Sequence, residues 1–291
     1  MNINPIYERE HRVSTRSLKL SMTILIFNFI VAAVTLIEMN EVVDYARKTS
    51  IIDYTSFLQI FKIVIFLPAI LLIFVAPSFI SGAISDERQR GTLEILLTTK
   101  MTARSIVFGK FLSLFASIML ILVSQLPIIA ILFLYGGISV LDIIKLVINF
   151  VVFVILIISM GIFCSSIVVK TSVATALVYS TVLGLFVGTL VLYFLAANSF
   201  IMNENNIFGI LFIRFSKFVL LFNPLVSMDF LLSKIMGEDS LDILVSLFWY
   251  DNWFYINMVL DLLLSISLLE LSIVKIKPHC KTWRKYGNNN L

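Results

Sequence analysis

The chain has 291 residues, of which 59% are hydrophobic and 14% charged, and its mean hydropathy is +1.01. Values so far from those of soluble domains exclude a water-soluble enzyme and place the chain in a lipid bilayer. The formal charge of +4 reads as a topology signal rather than as affinity for nucleic acid, because basic residues beside membrane spans set orientation.

In chain order, residues 1–17 carry Glu8, Arg9, Glu10, Arg12 and Arg16, with Asn4 as a cap and Pro5 at the first helical position. They predict an amphipathic surface helix. The apolar run 18–37 is about 20 residues, of spanning length and too long for a signal-peptide core. A polar loop is expected over 38–56, then a second span over 57–84. Pro68 and Pro77 predict that this span is bent or locally unwound, and Lys62 near its outer end is placed to snorkel. The third run, 106–135, would be about 45 Å long as a straight helix, more than the roughly 30 Å hydrocarbon core. It must tilt, kink or project; Pro127 is the kink candidate, with Gln125 placed to bond a freed carbonyl or a substrate.

Spans four and five, 143–169 and 173–197, are separated by a turn at Lys170 and form an antiparallel hairpin. Gly161 with Ser165, and Gly184 with Gly188, are small-xxx-small pairs that let helices approach closely, within the chain or in a dimer. Cys164 and Cys280 have neither disulfide nor metal-ligand spacing. Within the outer segment 198–255, Arg214 and Lys217 interrupt an apolar run. Residues 207–250 are therefore expected to be interfacial or re-entrant, broken at Asn223-Pro224 and at Gly237-Glu238-Asp239. Trp249, Tyr250, Trp253 and Tyr255 predict an aromatic belt leading into a sixth span, 256–274.

Two acids lie in that span. Asp261 and Glu270 are nine residues apart and so on opposite helix faces, which disfavours a shared ion site; snorkelling or helix contact is expected for each. The domain plan is an amino-terminal helix 1–17, a six-span domain 18–275 and a basic tail 276–291. With six spans, 15 of the 22 Lys and Arg share one side with both termini, which predicts a multi-pass plasma-membrane protein with cytoplasmic termini.

The stretch 82–105 is the one charged, patterned insert between two long apolar runs. Its seven charges would cost about 20 kcal/mol at mid-bilayer, so it lies in water at the cytoplasmic face. Asp86 with Arg90, and Arg90 with Glu94, are four apart and predict ion pairs along a helix. Leu93, Leu96 and Leu97 form an apolar stripe, and Gly91 predicts a bend between two short helices. An ordinary surface loop needs no such stripe.

Glu87-Arg88, Gly91-Thr92-Leu93-Glu94, Leu96-Leu97, Arg104-Ser105 and Gly109-Lys110 resemble the signature between the second and third spans of ABC-2 type permeases. Asn4-Pro5 with Glu10 and Arg16, and Asn223-Pro224, are also similar to that family. The resemblance implies an all-α membrane protein with six spans, an amphipathic amino-terminal helix, a cytoplasmic coupling helix and a re-entrant outer segment. It implies the permease half of an ABC exporter that pairs with a second permease copy, the same or different, and docks separate ATPase subunits. ATP and Mg would bind those subunits, with no cofactor, metal or catalytic residue in this chain. Asp86, Glu87, Arg88, Arg90, Gly91, Thr92, Leu93, Glu94, Leu96 and Leu97 would then couple the spans to ATP hydrolysis, with the Leu93, Leu96 and Leu97 face docked in a groove of the ATPase.

The residues add to this by what they lack. The Gly-Lys pair at Gly109-Lys110 is followed by Phe111, so no P-loop is present. His11 and His279 support no catalytic triad or zinc motif. Two other classes fit the composition: a sensor or immunity protein that binds a membrane-active peptide, and an ATP-independent carrier. A carrier predicts repeated interrupted helices, and the 87–97 pattern occurs once.

Overall fold

The computed structural model describes residues 7, 8, 10, 17–49, 54–98, 102–130, 139–202, 207–237 and 252–276. No strand occurs among them. Most of 1–17, Trp249, Tyr250 and the tail beyond Ile276 lie outside the described residues.

The first span is α1, Leu18–Thr49. It continues 12 residues past the expected end at Ile37, through the stretch read as loop. Residues 38–49 hold no Gly or Pro, and Asp44 pairs with Arg47 at 3.9 Å one turn on, so the helix has no reason to stop at the membrane surface. The second span, α2 (Tyr54–Ile80), contains Pro68 and Pro77 and gives way to turns over 81–84. Tyr179 donates to the Phe74 carbonyl at 2.9 Å, close to where Pro77 disrupts the ladder.

Two short helices follow, α3 (Ser85–Gln89) and α4 (Thr92–Thr98), then the third span, α5 (Ala103–Val123). Thr102 caps α5 by accepting from the Ser105 N–H. The span breaks at Ser124–Gln125 and helix resumes over 126–130. The break therefore precedes Pro127, which stands in the first turn of the new helix, where its missing N–H has no cost. Gln125 is fully buried with neither side-chain polar atom bonded, so it does not satisfy a freed carbonyl as expected.

The fourth span, α6 (Val140–Ile167), is the centre of the bundle, buried along much of its length. The fifth comprises α7 (Thr171–Leu183), a π-helical turn (Gly184–Gly188) and α8 (Thr189–Met202). Gly161 packs as the small-residue pattern predicts, because a methyl there would overlap the Ile80 side chain of α2. Gly184 and Gly188 make no such contact within this chain. A Cβ at Gly184 meets nothing within 4 Å, and at Gly188 only a carbonyl at 3.9 Å. Within this chain they bracket the π turn, where poor helix formers let the ladder slip by one residue.

The segment expected to be re-entrant is a sharply bent helix pair. Helices α9 (Ile207–Leu220) and α10 (Pro224–Met236) meet at 88°. At their junction the fully buried Asn223 donates to the Phe186 carbonyl at 3.0 Å and to Thr189 Oγ1 at 2.8 Å, both midway along the fifth span. Its Oδ1 accepts from Leu225 N–H and so caps α10. Gly237, at φ 67°, ends α10 in the left-handed conformation that glycine adopts without strain. On the way out, Asp229 pairs with Lys62 at 3.0 Å. Lys62 therefore does not simply snorkel; its charge is held by α10.

The last helix is α11, Trp253–Ile276, whose 24 residues make about 36 Å, the length expected of a sixth span. Asn257, Asp261, Ser265, Leu269 and Ser272 form its buried stripe, and α6 is its principal neighbour. Trp253 is 1% exposed and Phe254 is buried, whereas Tyr255 is exposed, so of the described belt residues only Tyr255 faces outward. Five stretches are long and apolar enough to cross: Leu18–Thr49, Gln59–Gln89, Ala103–Val123, Val140–Ile167 and Thr171–Asn198, and the bent pair α9–α10 is either a sixth, broken span or a re-entrant hairpin. With α11 and the short helices they make an all-α bundle.

Candidate functional site

The candidate site is the end of the bundle where α3 and α4 lie. Unwinding over 81–84 leaves backbone N–H groups at the start of α3 without helical partners. Ser165, near the end of α6, supplies them: its Oγ accepts from Ile84 N–H and Ser85 N–H, both at 3.0 Å, and donates to the Ser81 carbonyl at 2.8 Å. One hydroxyl thus uses both lone pairs and its proton. Its role is to hold the broken end of the second span, more specific than the close helix approach expected of it.

Side chains of α3 then hold two other helix ends. Arg88 Nη1 donates to the Ser166 carbonyl at 2.8 Å, one of the last carbonyls of α6, where a cation is also favoured by the helix dipole. Gln89 Oε1 accepts from Thr171 N–H at 3.0 Å and Thr171 Oγ1 at 3.1 Å, satisfying the first turn of α7. A five-residue helix therefore stitches the end of span four to the start of span five. Gln89, Ser166 and Thr171 carry no motif that marks them in the sequence.

Asp86 and Arg90 pair at 3.3 Å as predicted, with side chains 50% and 73% exposed, so the pair is worth at most about 1 kcal/mol. Arg90 does not pair with Glu94. Gly91 lies between them at φ 71° and breaks the helical register that the four-residue spacing requires. The Thr92 hydroxyl donates to the Glu87 carbonyl at 3.2 Å and closes this bend.

The leucine stripe, expected to dock in a groove of a partner, faces the bundle itself. Leu93 is 5% exposed and belongs to the core, and Leu97 packs against that core. Leu96 is half-buried, and Ile95 at 65% exposure is the large apolar side chain that α4 presents outward, beside exposed Glu94.

Behind α3 and α4 lies a cavity of about 870 Å³, bounded by Lys19, Phe79, Glu87, Ile95, Lys110 and Ser117. On its wall Lys110, only 5% exposed, contacts Glu10 at 2.7 Å and Glu87 at 2.9 Å. A second cavity of about 590 Å³ lies towards the other end, between spans two and five and α10, with Lys62 and Asp229 among otherwise mostly apolar walls.

The two intramembrane acids differ. Glu270 meets Arg104 at 3.1 Å, with both side chains at least half exposed. Asp261 is fully buried with neither carboxylate oxygen bonded, so it does not snorkel.

The family model described as "ABC-2 family transporter protein" matches residues 4–273 of the chain. The chain belongs to the ABC-2 transporter family. Comparison with curated proteins finds no match. As an ABC-2 permease it is a multi-pass membrane component of an ABC transporter and not itself the catalytic part. The matched region takes in both short helices and the bent pair α9–α10, and it ends three residues before the end of α11.

Proposed function

We propose that this permease is the transmembrane subunit of an ATP-driven exporter, and that α3–α4 is the element through which a separate ATPase moves the spans. The observation that carries the reading is the stitching of α3: Ser165, Arg88 and Gln89 tie it to the ends of spans two, four and five at 2.8 to 3.1 Å. A push on α3 is therefore a push on three spans at once, whereas a surface loop would absorb it.

In this reading the α3–α4 end and both termini are cytoplasmic in the plasma membrane, where the larger share of Lys and Arg lies. ATP and Mg bind the ATPase subunits. A second permease copy completes the pathway, which opens alternately to the two sides. Ile95 and Glu94 are the outward contacts of α4, and docking would bury the Ile95 side chain at about 1.5 to 3 kcal/mol.

The test is purification from native membranes followed by reconstitution. An ATPase subunit should co-purify, and its turnover in vesicles should depend on the permease. A permease that purifies intact from native membrane with no ATPase would instead support the binding or sensor class.

A further inference from the structure

Lys110, Glu10 and Glu87 form a partly buried ion cluster that brings three separate parts of the chain together. Glu87 belongs to α3, Lys110 to the second turn of the third span, and Glu10 to the amino-terminal segment 100 residues away. Among the described residues the cluster is unbalanced. One ammonium faces two carboxylates, whose side chains are 29% and 20% exposed, and the second carboxylate oxygen of Glu87 is buried with no partner. Each acid weakens the hold of Lys110 on the other, because like charges that share one cation repel. Beside them the 870 Å³ cavity, which Glu10, Glu87 and Lys110 all line, leaves room for the side chains to exchange partners.

We infer that Lys110 is a positioning residue with two settings: here it holds α3 through Glu87, and it passes wholly to Glu10 when α3 is displaced. The inference rests on the reading of α3–α4 as the driven element. Buried ionic groups add little net stability, but they specify which of several packings is adopted. Discrete arrangements of this kind turn a small displacement into a defined change of state. In the second setting the amino-terminal segment and the third span stay joined while α3 is free to turn with the ends of spans four and five. Glu10 thus competes with Glu87 for the cation and lowers the resistance of α3 to displacement.

The competition gives opposite signs for two conservative substitutions, which a purely structural cluster does not. The measurement is amide hydrogen exchange over residues 85–98 in the full chain in lipid nanodiscs, with no ATPase present. Glu87→Gln should raise exchange there about tenfold. Glu10→Gln, by leaving Lys110 to Glu87 alone, should slow it about threefold. In a Lys110→Met background, Glu10→Gln should no longer slow it. If Glu10→Gln speeds exchange or leaves it unchanged, or if Glu87→Gln does not raise it, the two-setting role is overturned. Because no partner is present, that failure is distinct from failure of the exporter reading, which would appear as loss of ATPase co-purification with the exchange pattern intact.

Discussion

Arg104 Nη2 lies 3.1 Å from Glu270 Oε1, so the start of the third span and the end of the sixth stand at the same end of the bundle. Asp229 meets Lys62 at the other end. Cysteines at positions 104 and 270 should therefore react with an impermeant thiol reagent from one side of the membrane, and a cysteine at 62 from the opposite side. The pair is exposed, so Arg104→Ala should cost no more than about 1 kcal/mol in unfolding measurements. Labelling of 104 and 270 from different sides would refute the re-entrant topology.

Leu93 and Ile95 are two residues apart on α4 and face opposite ways. Leu93→Asp would place an unpaired charge in the core and should cost several kcal/mol, seen as lost yield and a lowered Tm. Ile95→Asp should leave expression and Tm unchanged but weaken ATPase binding by about tenfold or more in a pull-down titration. Equal binding by parental and Ile95→Asp proteins would remove α4 from the docking surface.

Asn223 makes three bonds that no other residue type supplies together. Asn223→Ala loses all three bonds, whereas Asn223→Asp keeps the cap on α10 but buries a carboxylate with an oxygen set against the Phe186 carbonyl. Expected costs are about 1 to 3 kcal/mol for the first and several kcal/mol for the second. Limited proteolysis between 207 and 237 should follow the same order. Equal resistance in all three proteins would mean that packing alone holds the hairpin.

Gly161 gives α6 its close approach to Ile80. Gly161→Ala should destabilise by about 1 to 3 kcal/mol, because the overlap must be relieved by shifting helices. Combining it with Ile80→Ala should recover part of the loss, a non-additivity that thermal unfolding of the four proteins would reveal. At Gly184, where a Cβ meets nothing within 4 Å, alanine should be tolerated or should stabilise.

The sequence alone determined the solvent and the gross topology. Apolar runs long enough to cross a bilayer are local properties, and so are the interrupting charges of 82–105, the Asn223-Pro224 break and the glycine bends at Gly91 and Gly237. The tertiary structure decided everything that depends on which ends of the spans meet. Ser165 was legible as a small residue, but its three bonds exist only because the second span unwinds beside it. Gln89 with Thr171, and Lys110 with Glu10, join residues 82 and 100 positions apart. The leucine stripe pointed to a partner's groove, and packing turned Leu93 and Leu97 onto the bundle's own core, because one helix pattern serves equally for a core or for a partner. For Asp261 the sequence left snorkelling and helix contact both open, and the packing of α11 against α6 decided for burial. Periodicity and charge are written along the chain; contacts between distant turns arise only when the helices pack.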